Sequence, residues 1–104
     1  MIKVKELDIY EVLYLVNPNF TDEELENKIE FYRNFVIKNG SSAAIKNCGK
    51  KDLSYNLKKQ TSANYIQMVY VGNNKIIESI NQEMNRDEQI LRHFTTKLIE
   101  IPEM

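Results

Sequence analysis

The sequence predicts an α+β fold, a four-stranded antiparallel sheet carrying two helices on one face. Three observations lead there. Four segments carry apolar and aromatic residues at the period of a strand, two carry apolar stripes at the period of a helix, and their order along the chain is β-α-β-β-α-β.

Residues 1–7 alternate Ile2, Val4 and Glu6 with Lys3, Lys5 and Leu7, and read as a frayed extension or the lead into the first strand. From Asp8 to Val16 the run is too apolar for a solvated segment and stops at Asn17-Pro18-Asn19. Tyr10, Val12, Tyr14 and Val16 share one face, Ile9, Glu11, Leu13 and Leu15 the other, as in a central strand with neighbours on both sides. Thr21-Asp22-Glu23-Glu24 is a capping box, with Phe20 and Leu25 placed as a hydrophobic staple. Leu25, Ile29, Tyr32, Phe35 and Val36 then keep helical spacing until Asn39-Gly40 supplies a left-handed stop, so the first helix runs from about Asp22 to Asn39. Its acidic first turn complements the helix dipole.

Residues 42–57 read as one long second strand, bent at Gly49, because an isolated glycine inside a strand pattern marks a bulge. The polar stretch from Lys58 to Asn64 has no apolar anchor and is expected to be a mobile loop. Tyr65 to Val71 is the third strand, ended by Gly72-Asn73-Asn74. Asn73 or Asn74 caps a second helix with the stripe Ile76, Ile77, Ile80 and Met84, running to about Asn85. A last strand covers about Ile90 to Ile99 and ends before Pro102. This order is the split βαβ, ferredoxin-like βαββαβ plait, in which the first and third strands are central and the second and fourth are edges.

At 104 residues the chain is long enough for one domain, 1–104 with a core of about 8–100, burying roughly 65% of its unfolded surface. No apolar run reaches the roughly 18 residues of a membrane span, and the first residues lack a signal-peptide core, so the protein is expected to stay where it is made. One cysteine and one histidine exclude an internal disulfide and leave too few ligands for structural zinc. No cofactor is implied. A net charge of −1 hides an asymmetry: Asp22, Glu23, Glu24, Glu26 and Glu30 cluster in one segment, Lys46, Lys50, Lys51, Lys58 and Lys59 in another. The second cluster can meet phosphate whatever the total charge, because salt screens distant charges.

Catalysis finds little material. His93 and Cys48 have no marked third group to orient them, the helix carboxylates lack a desolvating site, and Gly40, Gly49 and Gly72 form no phosphate loop. Nucleic-acid binding is better supplied. Tyr10, Tyr14, Tyr65 and Tyr70 on adjacent strands either stack bases on an open sheet face or pack in the core. The third strand lacks the glycine of an RNA-recognition motif. Within Gly49 to Lys59, Leu53, Tyr55 and Leu57 alternate with Asp52, Ser54, Asn56 and Lys58, which describes either an edge strand guarded by lysines or a strand that binds outward.

Three segments carry a family resemblance. Tyr10-Glu11-Val12-Leu13-Tyr14-Leu15-Val16-Asn17-Pro18, Gly49-Lys50-Lys51-Asp52-Leu53-Ser54-Tyr55 and Ile90-Leu91-Arg92-His93 resemble, in order and spacing, the bacterial-type small-subunit ribosomal protein six family. Tyr65-Ile66-Gln67-Met68 looks most like cyanobacterial and plastid members. The resemblance implies a structural, non-catalytic protein that binds small-subunit ribosomal RNA together with small-subunit ribosomal protein eighteen, with no membrane and no small-molecule substrate. It marks Lys50, Lys51, Arg92 and His93, then Tyr10 and Lys97, as RNA contacts, and Leu53, Tyr55, Leu57 and Lys58 as the partner surface. Asp52 stands where members often have a second basic residue, and Cys48 replaces a common aromatic. The Asn, Ile and Lys bias points to the plastid stroma rather than a bacterial cytoplasm. The competing expectation is a ligand-sensing or interaction plait that homodimerises through its sheet.

Overall fold

The computed structural model describes residues 8–98, and the expectations for residues 1–7, Ile99 and Pro102 lie outside them. Its elements are β1 (Asp8–Val16), α1 (Asp22–Lys38), β2 (Ala43–Leu57), β3 (Gln60–Gly72), α2 (Asn74–Arg86) and β4 (Ile90–Leu98). The sheet order is β2-β3-β1-β4, every pairing antiparallel, so β1 and β3 are central as expected of the ferredoxin-like plait.

Alternation along the central strands decides which face the helices cover. Tyr10, Val12, Tyr14 and Val16 of β1, with Ile66, Met68 and Tyr70 of β3, meet Leu25, Ile29, Tyr32 and Val36 of α1 and Ile76, Ile80 and Met84 of α2 in one core. The residues between them, Ile9, Glu11, Leu13 and Leu15 on β1, share the other face with Tyr65, Gln67, Val69 and Val71 of β3 and with Arg92, Phe94, Thr96 and Leu98 of β4. Among the described residues no helix covers that face.

The helix starts are built as their residues dictate. Thr21 Oγ1 accepts from Glu24 N at 3.1 Å and Glu24 Oε1 from Thr21 N at 2.9 Å. Asn73 caps α2, its Oδ1 accepting from the Lys75 and Ile76 amides. Asn39, expected as the last helical residue, is the C-cap, followed by Gly40 at φ +87°. Gly49 is the bend in β2: the pairing skips Cys48 between Asn47 and Gly49, and Gly49 adopts φ +90°, a left-handed value that a side chain would strain.

One expectation fails. The stretch from Lys58 to Asn64 is no loop: Leu57 pairs with Gln60, and β3 begins there rather than at Tyr65. Lys58 and Lys59 alone form the turn, at φ +47° and +67°, as a type I′ hairpin requires. Ala63 and Asn64, polar-looking company in sequence, are buried. Asn64 Nδ2 donates to the Asn17 carbonyl at 2.9 Å, and Asn17 in turn bonds Gln89 by backbone and side chain, so that end of the sheet is pinned from three sides.

Candidate functional site

The β2–β3 hairpin is long enough to curl across the end of β1. Although β2 and β4 lie at opposite edges of the sheet, Arg92 Nη1 of β4 donates to the Tyr55 hydroxyl of β2 at 2.6 Å. The Arg92 guanidinium stands 5.6 Å from the Tyr55 ring centre and 6.0 Å from that of Phe94, both within cation–π range. Lys58 Nζ, from the turn, donates to the Ile90 carbonyl at 3.2 Å. Groups separated in sequence therefore meet at one end of the sheet.

Two hollows lie there. On the open face a small apolar groove of about 140 Å³ is lined by Leu15, Leu53, Tyr55, Leu57, Tyr65 and Phe94, with Arg92 at its side. Tyr55 and Phe94 are 57% and 49% exposed, large for side chains of this kind, so among the described residues nothing covers this apolar groove. Around the strand end a wider cavity of about 400 Å³ is lined by Lys58, Arg92 and His93 together with Asn85, Met84, Ile90 and Leu91. No carboxylate lines it; Lys58 brings an ammonium to the start of β4 there, while the Arg92 guanidinium is turned to Tyr55 on the open face.

The expected RNA contacts divide between faces because neighbours on a strand point opposite ways. Lys51, opposite Ala63, stands on the open side with its ammonium 5.4 Å from the Tyr65 ring centre, whereas Lys50 is opposite Asn64 on the helix side. Arg92 faces the open sheet; His93 turns to α2, where its Nε2 lies 2.8 Å from Asn85 Oδ1. Burial holds the His93 ring below its ordinary pKa. Lys97 is paired with Asp8 at 3.4 Å. Tyr10 needs correction: its ring is 7% exposed, packed 5.8 Å from that of Tyr70, and cannot stack a base. Tyr14 and Tyr70 are in the core too, which leaves Tyr65 as the open-face tyrosine of those four. Phe94 and Leu15 in the groove were missed as site residues. Their signal was legible, since both sit on the strand face opposite the core-facing positions.

The family model for ribosomal protein S6 matches residues 9–97. The chain belongs to the ribosomal protein S6 family. Among relatives, the small ribosomal subunit protein bS6c of Guillardia theta is 36% identical over 94 residues, covering 89% of this chain and 98% of that protein. The bS6 of Trichormus variabilis is 34% identical over 90 residues, 86% of this chain and 83% of its own, and the bS6c of Cyanophora paradoxa is 33% identical over 90 residues, 86% of each. A crystal structure of the 30S ribosomal protein S6 from Thermotoga maritima superposes with a TM-score of 0.83 at 19% identity, covering 89% of both chains, which shows the shared fold. The S6 family is ribosomal rather than enzymatic, so the sparse reactive groups of this S6-type chain are in keeping with a non-catalytic role. Among the described residues no cluster of His, Cys, Asp and Glu could hold a metal ion.

Proposed function

We propose that this chain is a structural constituent of the small ribosomal subunit, binding small-subunit ribosomal RNA jointly with small-subunit ribosomal protein eighteen. The observation that carries the reading is the uncovered apolar groove on the open sheet face, with the Arg92 guanidinium at its side and the Lys51 ammonium over the Tyr65 ring that lines it. An apolar groove suits a protein side chain, because burying it removes apolar surface from water; a cationic rim suits phosphate, because each contact releases condensed counterions. Leu53, Tyr55, Leu57 and Phe94 would meet the partner protein, and Lys50, Lys51 and Arg92 the RNA backbone. Lys97, on the far side of β4 and already paired, is the weakest contact of the set. The similarity to the Guillardia and Cyanophora proteins, with the Asn, Ile and Lys bias, supports work in a plastid stroma over a bacterial cytoplasm.

Salt dependence tests it. With the partner protein present, affinity for the ribosomal RNA should fall steeply with salt, and the double variant Lys50→Ala, Lys51→Ala should flatten the log–log slope by about 1.4 to 1.8, from roughly 0.7 to 0.9 per lost phosphate contact. An unchanged slope removes these two lysines from the interface. Co-sedimentation with small subunits is expected; recovery only as a free homodimer would instead support the sheet-dimerising plait.

A further inference from the structure

Asn39 closes α1 as its C-cap, and the residue after it is Gly40. Every other asparagine in the chain is followed by a residue that carries a side chain. Here alone a carboxamide stands next to a backbone nitrogen whose own Cα is bare, so nothing bulky obstructs the approach of one to the other. Both residues are exposed, and water and hydroxide reach them freely. Asparagine is a thermolabile residue, and this neighbour makes it most so, because the Gly40 nitrogen is one five-membered ring away from the Asn39 side-chain carbonyl carbon.

The folded helix end holds the two reacting groups apart. Asn39 Nδ2 donates to the Phe35 carbonyl at 2.7 Å, and the Gly40 amide donates to the Ile37 carbonyl at 3.0 Å. Asn39 has ψ 14°, which keeps the Gly40 nitrogen on the side of Asn39's own nitrogen, whereas ring closure needs it beside Cβ. Closure therefore requires rotation about ψ, which gives up the Gly40 bond and loosens the Ser41 amide from the Val36 carbonyl, now 3.2 Å away. Such an opening is local. The last turn of a helix frays at far lower cost than the fold unfolds, and Ile37 and Lys38 in that turn are exposed, so little apolar contact resists it.

We propose that Asn39 is a deamidation site of the folded protein, gated by opening of the last turn of α1. Hydroxide takes the Gly40 amide proton, the nitrogen bonds to Asn39 Cγ, and the Cγ–Nδ2 bond breaks, Nδ2 leaving as ammonia with a proton from water. Water then opens the cyclic imide. Breaking its bond from nitrogen to Cγ gives aspartate, and breaking that to the main-chain carbonyl carbon gives isoaspartate, whose main chain runs through Cβ and Cγ. Overall one water is consumed and one ammonia released, with nothing oxidised or reduced. Either product loses the Nδ2 donor to Phe35 and adds a negative charge where the helix dipole is already negative, so the modified end of α1 is held less firmly than the original. The site lies by Ser41, whose hydroxyl donates to the Val71 carbonyl, at the other end of β3 from Tyr65 in the groove, and is independent of the RNA reading.

Full-length protein kept folded in mildly alkaline buffer should accumulate a more acidic form, with isoaspartate at position 39 read by peptide mapping and by enzymatic methylation of isoaspartyl carboxylate. The rate should be roughly tenfold or more below that of a free peptide of the same local sequence, and should rise towards it in urea below the unfolding transition. Asn39→Gln should remove the acidic form. Asn39→Asp, which builds one product directly, should lower the urea midpoint. An Asn39 that keeps its amide until the whole chain unfolds overturns the site. A folded-state rate equal to that of the peptide overturns the gating, and an Asn39→Asp midpoint equal to wild type overturns the loosened helix end.

Discussion

Asp87, the C-cap of α2, ties the end of that helix to α1 and to the turn before β4 through one carboxylate. Its Oδ2 accepts from Lys28 Nζ of α1 at 2.7 Å and from the Tyr32 hydroxyl at 2.9 Å, and its Oδ1 from the Gln89 amide at 3.0 Å. Burial by itself would raise its pKa, but the Lys28 ammonium, the Gln89 amide and the Tyr32 hydroxyl hold it below the ordinary value. A carboxylate with a depressed folded pKa contributes stability above its unfolded pKa, about 3.9, and loses it as pH falls through the lower folded value. Asp87→Ala should therefore cost about 2 kcal/mol at pH 7, because charge-assisted hydrogen bonds are lost and Lys28 is left half buried without a partner. Thermal melts should show a drop of roughly 8 to 15 °C. The gap between wild type and variant should close below about pH 4; a gap that persists there would show that the loss is one of packing rather than of charge.

At the scale of the element, the β2–β3 hairpin decides what the site is. Its turn places two lysines in left-handed backbone, where a Cβ atom costs about 1 to 2 kcal/mol that glycine would not incur. Lys59→Gly should accordingly raise stability by about 0.5 to 1 kcal/mol in urea titration, since the turn needs the conformation and not the side chain. A destabilised Lys59→Gly protein would mean that the Lys59 side chain supports the hairpin. Lys58 is a different case, because its ammonium ties the turn to the Ile90 carbonyl. The contrast between the two neighbours separates a residue kept for its contact from one that only fills a turn.

Over the whole molecule, the core is unusual in its tyrosines. Tyr14, Tyr32 and Tyr70 have less than 2% of their surface exposed, and burial pushes all three hydroxyls up, Tyr70 to about 12. Among the described residues neither the Tyr14 nor the Tyr70 hydroxyl has a hydrogen-bond partner. Unfolded tyrosine ionises near pH 10 while these do not, so folding stability should be level up to about pH 10 and then fall by up to about 1.4 kcal/mol per pH unit for each tyrosine. Urea midpoints across pH 8 to 11 would read this directly. Tyr14→Phe should be neutral or slightly stabilising at pH 7, where it removes an unpaired buried hydroxyl, and should lessen the alkaline fall. A midpoint unchanged to pH 11 in the wild type would mean that the core admits water or ionised tyrosine.

Local chemistry by itself determined the element order, the capping box at Thr21, the Asn73 cap, the bend at Gly49 and the central place of β1 and β3, because each depends on neighbours a few residues away or on strand periodicity. Lys50, Lys51, Arg92 and His93 were marked by the family resemblance rather than by local chemistry. Local chemistry misread Lys58 to Asn64, since a strand whose polar residues face a partner strand or a buried hydrogen bond, as Asn64 does with Asn17, carries no apolar pattern. Only the tertiary structure decided that Tyr10 belongs to the core, that Lys50 and Lys51 face opposite sides, and that Tyr55 and Lys58 reach β4. Those contacts span 32 to 37 residues of chain and arise from the twist and curl of a long hairpin, a property of the assembled sheet that no single segment encodes.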